Sequence, residues 1–279
     1  MRAIANPSLV DGQLGILRVA VTAAREAGRL LHDSRGEAVV ARKPGLDSLV
    51  TQIDKACEEL IFGLVSAAFP GHWVLGEEHG LRRAGHDGAA AAPSDVDTMW
   101  IVDPVDGTTN YVHGLPGSVV SIAVARGGKL SVGVVYDPSR DELFVARHGE
   151  GAYLNGERIS VSRELTLGDA LVATGVPGTT HEARELNLRC VTRVGPRARS
   201  VRILGAAALH LAYVAAGRLS GFWELDLRPW DVAAGVLLVL EAGGQVTDTT
   251  GAAYTLEVRN LMATNGAIHS ELAEVLIAT

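Results

Sequence analysis

Only two cysteines, Cys57 and Cys190, occur in the sequence, and neither belongs to a CxxC pair. That excludes a disulfide framework or a Cys-built zinc site as the organising principle and leaves two buried or half-buried free thiols as the expectation. The nine histidines show no HxH or HExxH spacing, which speaks against a zinc centre. Charge is sparse as well: 20% of residues are Asp, Glu, Lys or Arg, and the formal net charge is -7. No dense Lys/Arg run is present, so the basic footprint of a duplex nucleic-acid binder is missing and no nucleic-acid partner is expected. The longest apolar stretches are short and interrupted by Gly, which excludes a helical membrane span. Met1 to Asp11 lacks a basic region followed by an apolar core, so no signal peptide is read there. A soluble, cytoplasmic setting is the resulting expectation. The P-loop pattern GxxxxGKS/T and the patterns GxSxG and GxGxxG are absent too.

What is present is apolar side chain. Residues of this kind make up 47% of 279, enough for a large core in one globular unit or two closely joined halves. Leu14, Leu17, Val21, Ala24 and Leu31 recur at helical spacing and predict a helix over 14–32. Ile53, Cys57, Leu60, Ile61, Leu64 and Val65 predict a second over 51–69, ended by Pro70-Gly71. A strand is read at 72–75, a surface loop at 82–94, and a buried strand at 98–102 stopping at Asp103-Pro104. Mostly antiparallel strands follow at 118–126, 131–136, 142–147, 151–155 and 157–162. Strands and helices then alternate from 170 to the C-terminus, with a last helix from Ser270. The expected fold is therefore mixed: an α+β first half (1–155) and an α/β second half (156–279).

Five acidic positions stand at the ends of these elements. Asp103 and Asp106 are three apart across a Pro-containing turn, with the Val105 carbonyl between them; carboxylate plus carbonyl oxygen suits a hard cation such as Mg²⁺. Gly107 permits close backbone approach to a ligand, and the Gly107 and Thr108 amides could face an anion. The alternative is a strand-turn-helix whose Asp residues merely cap. Glu77 follows a short apolar run and so could lie at a strand end beside Asp103, but read alone a Glu pair is ordinarily solvated surface. Asp231 precedes the apolar 232–242 helix, where the ordinary reading is a plain N-cap and the functional one a carboxylate aimed into a cleft. Asp54 lies three residues after Thr51 and reads as a capping-box acid.

Taken together, Gly76-Glu77-Glu78, then Trp100-Ile101-Val102-Asp103-Pro104-Val105-Asp106-Gly107-Thr108-Thr109-Asn110, then Trp230-Asp231-Val232-Ala233-Ala234-Gly235 resemble, in order, the signature stretches of the inositol monophosphatase family. The likeness runs from about Leu14 to the C-terminus. It implies a layered αβαβα sandwich. It also implies that Glu77, Asp103, the Val105 carbonyl, Asp106 and Asp231 hold up to three Mg²⁺ ions. Asp54 and Thr108, with Glu77, would orient and deprotonate a water held by those ions, for in-line attack on a phosphate monoester. Gly107, Thr108, Asp106, Ala207, Glu224 and Asp231 would contact substrate, Glu224 as a sugar-hydroxyl ligand. Ala206 departs from the Ser or Thr usual in the family's turn and removes one hydroxyl contact.

By the same resemblance the substrate is a small phosphorylated polyol, myo-inositol monophosphate first. Fructose 1,6-bisphosphate, histidinol phosphate and 3′-phosphoadenosine nucleotides are alternatives for the same chemistry. Lithium sensitivity and a homodimer are further implications. A regulatory binding protein on this fold is the reading from another class.

Overall fold

The helical stripe of the N-terminal segment forms α1 (Gln13–Asp33), which lays Ile16, Ala20, Ala23, Ala24, Ala27 and Leu31 against the core. Small side chains on this face bring the helix close to its neighbours; at Gly28 a Cβ would meet the Tyr136 ring at 2.5 Å. The structure is a computed structural model that describes residues 12–36, 40–42, 49–85, 96–176 and 180–277. Of the expected features, Met1 to Asp11, residues 43–48 and most of the 82–94 loop lie outside these residues. A short hairpin, β1 (Val40–Arg42) and β2 (Leu49–Thr51), leads into α2 (Gln52–Ala68).

The first sheet is built from β3 (Trp73–Gly76), β4 (Gly80–Arg83), β5 (Thr98–Asp106), β6 (Val119–Arg126), β7 (Lys129–Asp137), β8 (Glu142–Arg147), β9 (Gly151–Leu154) and β10 (Glu157–Ile159). A short helix, α3 (Thr108–Val112), lies between β5 and β6. The strand order is β10-β9-β8-β7-β6-β5-β3-β4, antiparallel except for the β3–β5 pair. The second sheet takes β11 (Leu171–Thr174), β12 (Ser200–Arg202), β13 (Gly221–Glu224), β14 (Gln245–Asp248) and β15 (Leu261–Thr264), in the order β12-β11-β13-β15-β14. Its helices are α4 (His181–Val194), α5 (Ala207–Ala215), α6 (Pro229–Glu241) and α7 (His269–Ile277).

Three apolar clusters stack these elements into five layers. In the first, α1 and α2 meet Trp100, Val102, Val120, Ile122, Val132 and Val134 on one face of the large sheet. In the second, α5 and α6 fill the space between the sheets, against Ile101, Ala123, Val135 and Phe144 on one side and Phe222 and Ala263 on the other. In the third, α4 and α7 cover the outer face of the small sheet around Val172, Trp223 and Met262. The expected αβαβα sandwich is thus the architecture observed. Period-two alternation along β5 explains it: Trp100 and Val102 face α1 and α2, and Ile101 faces α6. Where α6 crosses β7 the sheet carries Gly133, whose Cβ would stand 2.7 Å from the Ala234 carbonyl oxygen.

Four local expectations change. β5 does not stop at Asp103-Pro104 but runs on to Asp106, because the missing Pro104 N–H falls at a register irregularity between Asp103 and Asp106 that absorbs it. The start of the expected 82–94 loop pairs with β3 as β4, continuing from Gly80. β15, which follows β14 with no helix between, breaks the expected alternation; it lies inside the small sheet and is antiparallel to β13 and β14, so that sheet is mixed. α6 begins at Pro229, which puts Asp231 at its third position and not at the cap.

Candidate active site

The acidic residues singled out in the sequence arrive at one place from five elements. Glu77 directly follows β3, and its N–H donates to Val102 O on the neighbouring β5, 3.2 Å away. β5 brings Asp103, 2% exposed, and Asp106 to the end of the large sheet. Asp231 comes from the first turn of α6, where Oδ2 accepts the Arg228 N–H at 2.7 Å. Glu224 ends β13. Asp54 stands in the first turn of α2, 1% exposed.

Their electrostatics tie them together. Burial pushes the Asp103 carboxyl well above the usual carboxylate range; the charges of Glu77, Asp106 and Asp231 add to the rise, as does a hydrogen bond with Glu77. Asp106 is raised by burial and then by Asp231, against the lowering effect of the Ala208 and Ala207 amides. Glu224 is raised by burial, then by Asp231 and Asp106. These acids therefore lie in one shared negative field. Among the described residues no three His, Cys, Asp or Glu side chains stand in a metal-holding group. Backbone amides meet three of the carboxylates: Asp103 Oδ1 accepts the Val105 N–H at 3.0 Å, Asp106 the Ala208 N–H and Asp231 the Arg228 N–H.

The donor set still suits one kind of ligand. It is all oxygen, supplied by Glu77, Asp103, Asp106, Asp231 and the Val105 carbonyl, and its mutual repulsion is what a hard divalent cation would relieve. Mg²⁺ fits this chemistry, and a soft or thiolate-seeking metal does not.

Asp54 caps its helix and also reaches Thr108. Its Oδ2 accepts the Thr51 N–H at 2.9 Å and the Thr51 hydroxyl at 2.5 Å, closing a capping box on α2. Its Oδ1 accepts the Thr108 hydroxyl at 3.0 Å, and the same hydroxyl lies 3.0 Å from Val105 O. Thr108 opens α3 behind Gly107, whose φ of +90° demands glycine. A Cβ on Gly107 would also stand 2.9 Å from Gly117 O and 3.2 Å from the Ala206 Cβ.

The departure at Ala206 has a local consequence. Ala206 is the N-cap of α5 and offers no side-chain oxygen. The carboxylate of Asp106 reaches across instead: Oδ2 accepts the Ala208 N–H at 2.6 Å, and the Ala207 amide also bonds it. Ala207 thus contributes its N–H to Asp106.

Three supporting residues were not singled out in the sequence. Ser118 donates its hydroxyl to Gly107 O at 3.0 Å. Asn187, fully buried on α4, donates to Gly175 O, and Gly175 packs where a Cβ would overlap the Glu224 carboxyl. Glu58, fully buried on α2, bonds the turn after Glu77. A readable signal existed for Glu58: it interrupts the apolar stripe of Ile53, Cys57 and Ile61, one helical turn beyond Asp54.

Comparisons with known proteins bear on the family and the fold. Residues 14–279 match the model of the inositol monophosphatase family. Nus factor SuhB of Escherichia coli is 42% identical over 252 residues, covering 90% of this chain and 91% of that protein. Inositol monophosphatase 2 of Solanum lycopersicum is 44% identical over 250 residues, covering 88% of this chain and 92% of that protein. The crystal structure of the extragenic suppressor protein SuhB from Bartonella henselae superposes with a TM-score of 0.85 at 40% identity, covering 94% of this chain and 98% of that one. The chain belongs to the inositol monophosphatase family, a family of phosphatases.

Proposed function

We propose that the protein hydrolyses a small phosphate monoester, myo-inositol monophosphate first among them, with Mg²⁺ held by Glu77, Asp103, Asp106, Asp231 and the Val105 carbonyl. The observation that carries this reading is the shared negative field of four carboxylates next to the Asp54–Thr108 hydrogen bond. Bound there, Mg²⁺ would supply the positive charge that screens the phosphate and the leaving oxygen and acidifies a water.

The chain's own groups do the rest. The Thr108 hydroxyl has lone pairs free to accept a hydrogen bond from the attacking water while its proton goes to Asp54 Oδ1. Asp54 is held ready by Thr51, so its Oδ1 is aimed and its Oδ2 is occupied. The amides of Gly107 and Thr108 hold the phosphate in line. Glu224, lifted toward its neutral form, recognises a hydroxyl of the polyol from the second half of the chain. Fructose 1,6-bisphosphate, histidinol phosphate and 3′-phosphoadenosine nucleotides are the substrates to compare, and a homodimer working in the cytoplasm is the form we propose. Phosphate release from this panel, with Mg²⁺ and after its removal, tests the reading. Lithium should inhibit by replacing one Mg²⁺. Turnover that ignores Mg²⁺, or none on any of these esters, would overturn it.

A second reading rests on the relatives named Nus factor SuhB. In it the fold serves as a regulatory binding protein. An Asp103→Asn variant that lost turnover but kept the cellular role would favour this reading.

A further inference from the structure

Glu58 is a charge in an unusual place. It lies on α2 with no exposed surface, between Cys57 and Ile61 of the helix's apolar face. A buried carboxylate is tolerated only where donors and positive charge meet it. Here they come from one short stretch of chain. Oε2 accepts the Glu78 N–H at 2.8 Å, and Oε1 accepts the His79 N–H at 3.1 Å. His79 Nδ1 is 2.9 Å from Oε1, and Arg82 Nη2 is 3.3 Å from it. Arg82 is itself fixed on α2 by Glu59 at 2.5 Å and by the Phe62 ring, 3.9 Å from its guanidinium carbon.

We propose that Glu58 is a positioning residue for Glu77: its carboxylate clamps the turn that follows Glu77 and so sets where the Glu77 carboxylate stands. The inference rests on the metal-holding role given to Glu77 above. Glu77 is bracketed by two anchors. On its own N–H side it is tied to Val102 O of β5; on its C-terminal side the next two backbone N–H groups are tied to Glu58. Gly76 completes the arrangement, because a Cβ there would overlap the Glu58 carboxyl. Asp54 and Glu58, four residues apart, share one face of α2. One helix therefore sets both the carboxylate that receives the Thr108 proton and the turn that carries Glu77.

A role in stability alone would lower the melting temperature of a Glu58 variant and leave cation affinity unchanged. The test is therefore Mn²⁺ binding, measured by calorimetry or by electron paramagnetic resonance on wild type, Glu58→Gln and Glu59→Gln. Glu59 touches the same Arg82 and His79 but bonds no backbone amide of the turn. Glu58→Gln presents one N–H₂ where an acceptor is needed. The expected result is a Mn²⁺ dissociation constant raised about tenfold or more in Glu58→Gln, and near the wild-type value in Glu59→Gln. A folded Glu58→Gln protein with wild-type Mn²⁺ affinity overturns the proposal, whatever its melting temperature. Should Glu58→Gln fail to fold, Glu58→Asp keeps the charge but draws the oxygens back by one methylene; it is expected to show the same loss, and unchanged affinity there is equally fatal. A wild-type protein that binds no Mn²⁺ would instead refute the metal-site reading itself.

Discussion

The Thr108 hydroxyl lies 3.0 Å from Asp54 Oδ1, joining the first turn of α2 to the first residue of α3. One carboxylate thereby caps a helix and holds a hydroxyl beside the acid cluster. A capping acid can take part in chemistry because the cap needs only one of its two oxygens.

Thr108→Ala removes the hydroxyl and leaves the Asp54 cap intact. Turnover is expected to fall by about 10²–10⁴, the usual share of a positioned proton-transfer group. The melting temperature should stay near that of wild type. Steady-state kinetics and a thermal melt check both; near-normal turnover would remove the hydroxyl from the mechanism.

Asp103→Asn should trade function for stability. Asp103 is buried, and Glu77, Asp106 and Asp231 hold its carboxyl well above the usual range, so the ionised form opposes folding. The neutral amide relieves that opposition. In EDTA the variant is expected to be more stable than wild type by about 0.5–2 kcal/mol, and inactive. Added Mg²⁺ should reverse the order, since only wild type gains fully from binding. Chemical denaturation with and without Mg²⁺ reads this directly.

His210 predicts an acid-sensitive component of stability. Its ring is buried against Phe222, its Nε2 accepts the Leu204 N–H at 3.0 Å, and burial pushes its pKa down from 6.5 to about 3. The unfolded chain takes up a proton below the ordinary value, and the folded chain does not. Stability from this group is therefore full above pH 6.5 and is lost as pH falls toward 3, at up to about 1.4 kcal/mol per pH unit. His210→Gln should show a flatter profile across that window in urea titrations. An unchanged slope would contradict the assignment.

Gly107→Ala should cost about 1–2 kcal/mol from the left-handed backbone alone. It should also abolish activity, because the new Cβ presses on Gly117 O at 2.9 Å. Gly114→Ala shares the positive φ, 68°, but has open space around it. It should show the backbone cost without the loss of activity.

Much of this was legible in the residues themselves. Helical spacing over 14–32 and 51–69 became α1 and α2 because each stripe is long and sharply apolar on one side. Asp103 and Asp106 were visible as paired acids at the end of a strand. The spacing could not say that Asp106 would also cap α5, since its partners Ala207 and Ala208 lie about a hundred residues away. Glu58 was missed for a similar reason: its meaning depends on amides of another segment. β15 was missed because it follows β14 with no helix between, which breaks the strand–helix alternation read from 170 onward, and its place in the small sheet comes from pairing on both sides. Local pattern thus marked the acids as candidates, the family resemblance gave them roles, and long-range pairing decided what each one touches.

The most direct test of the whole account is phosphate release from myo-inositol monophosphate by wild type, Asp103→Asn and Thr108→Ala, each with Mg²⁺ and in EDTA. The account predicts turnover by wild type with Mg²⁺ alone, none by Asp103→Asn in either condition, and a strongly reduced Mg²⁺-dependent rate in Thr108→Ala. Equal turnover by wild type in Mg²⁺ and EDTA, or undiminished turnover by Asp103→Asn, would contradict it.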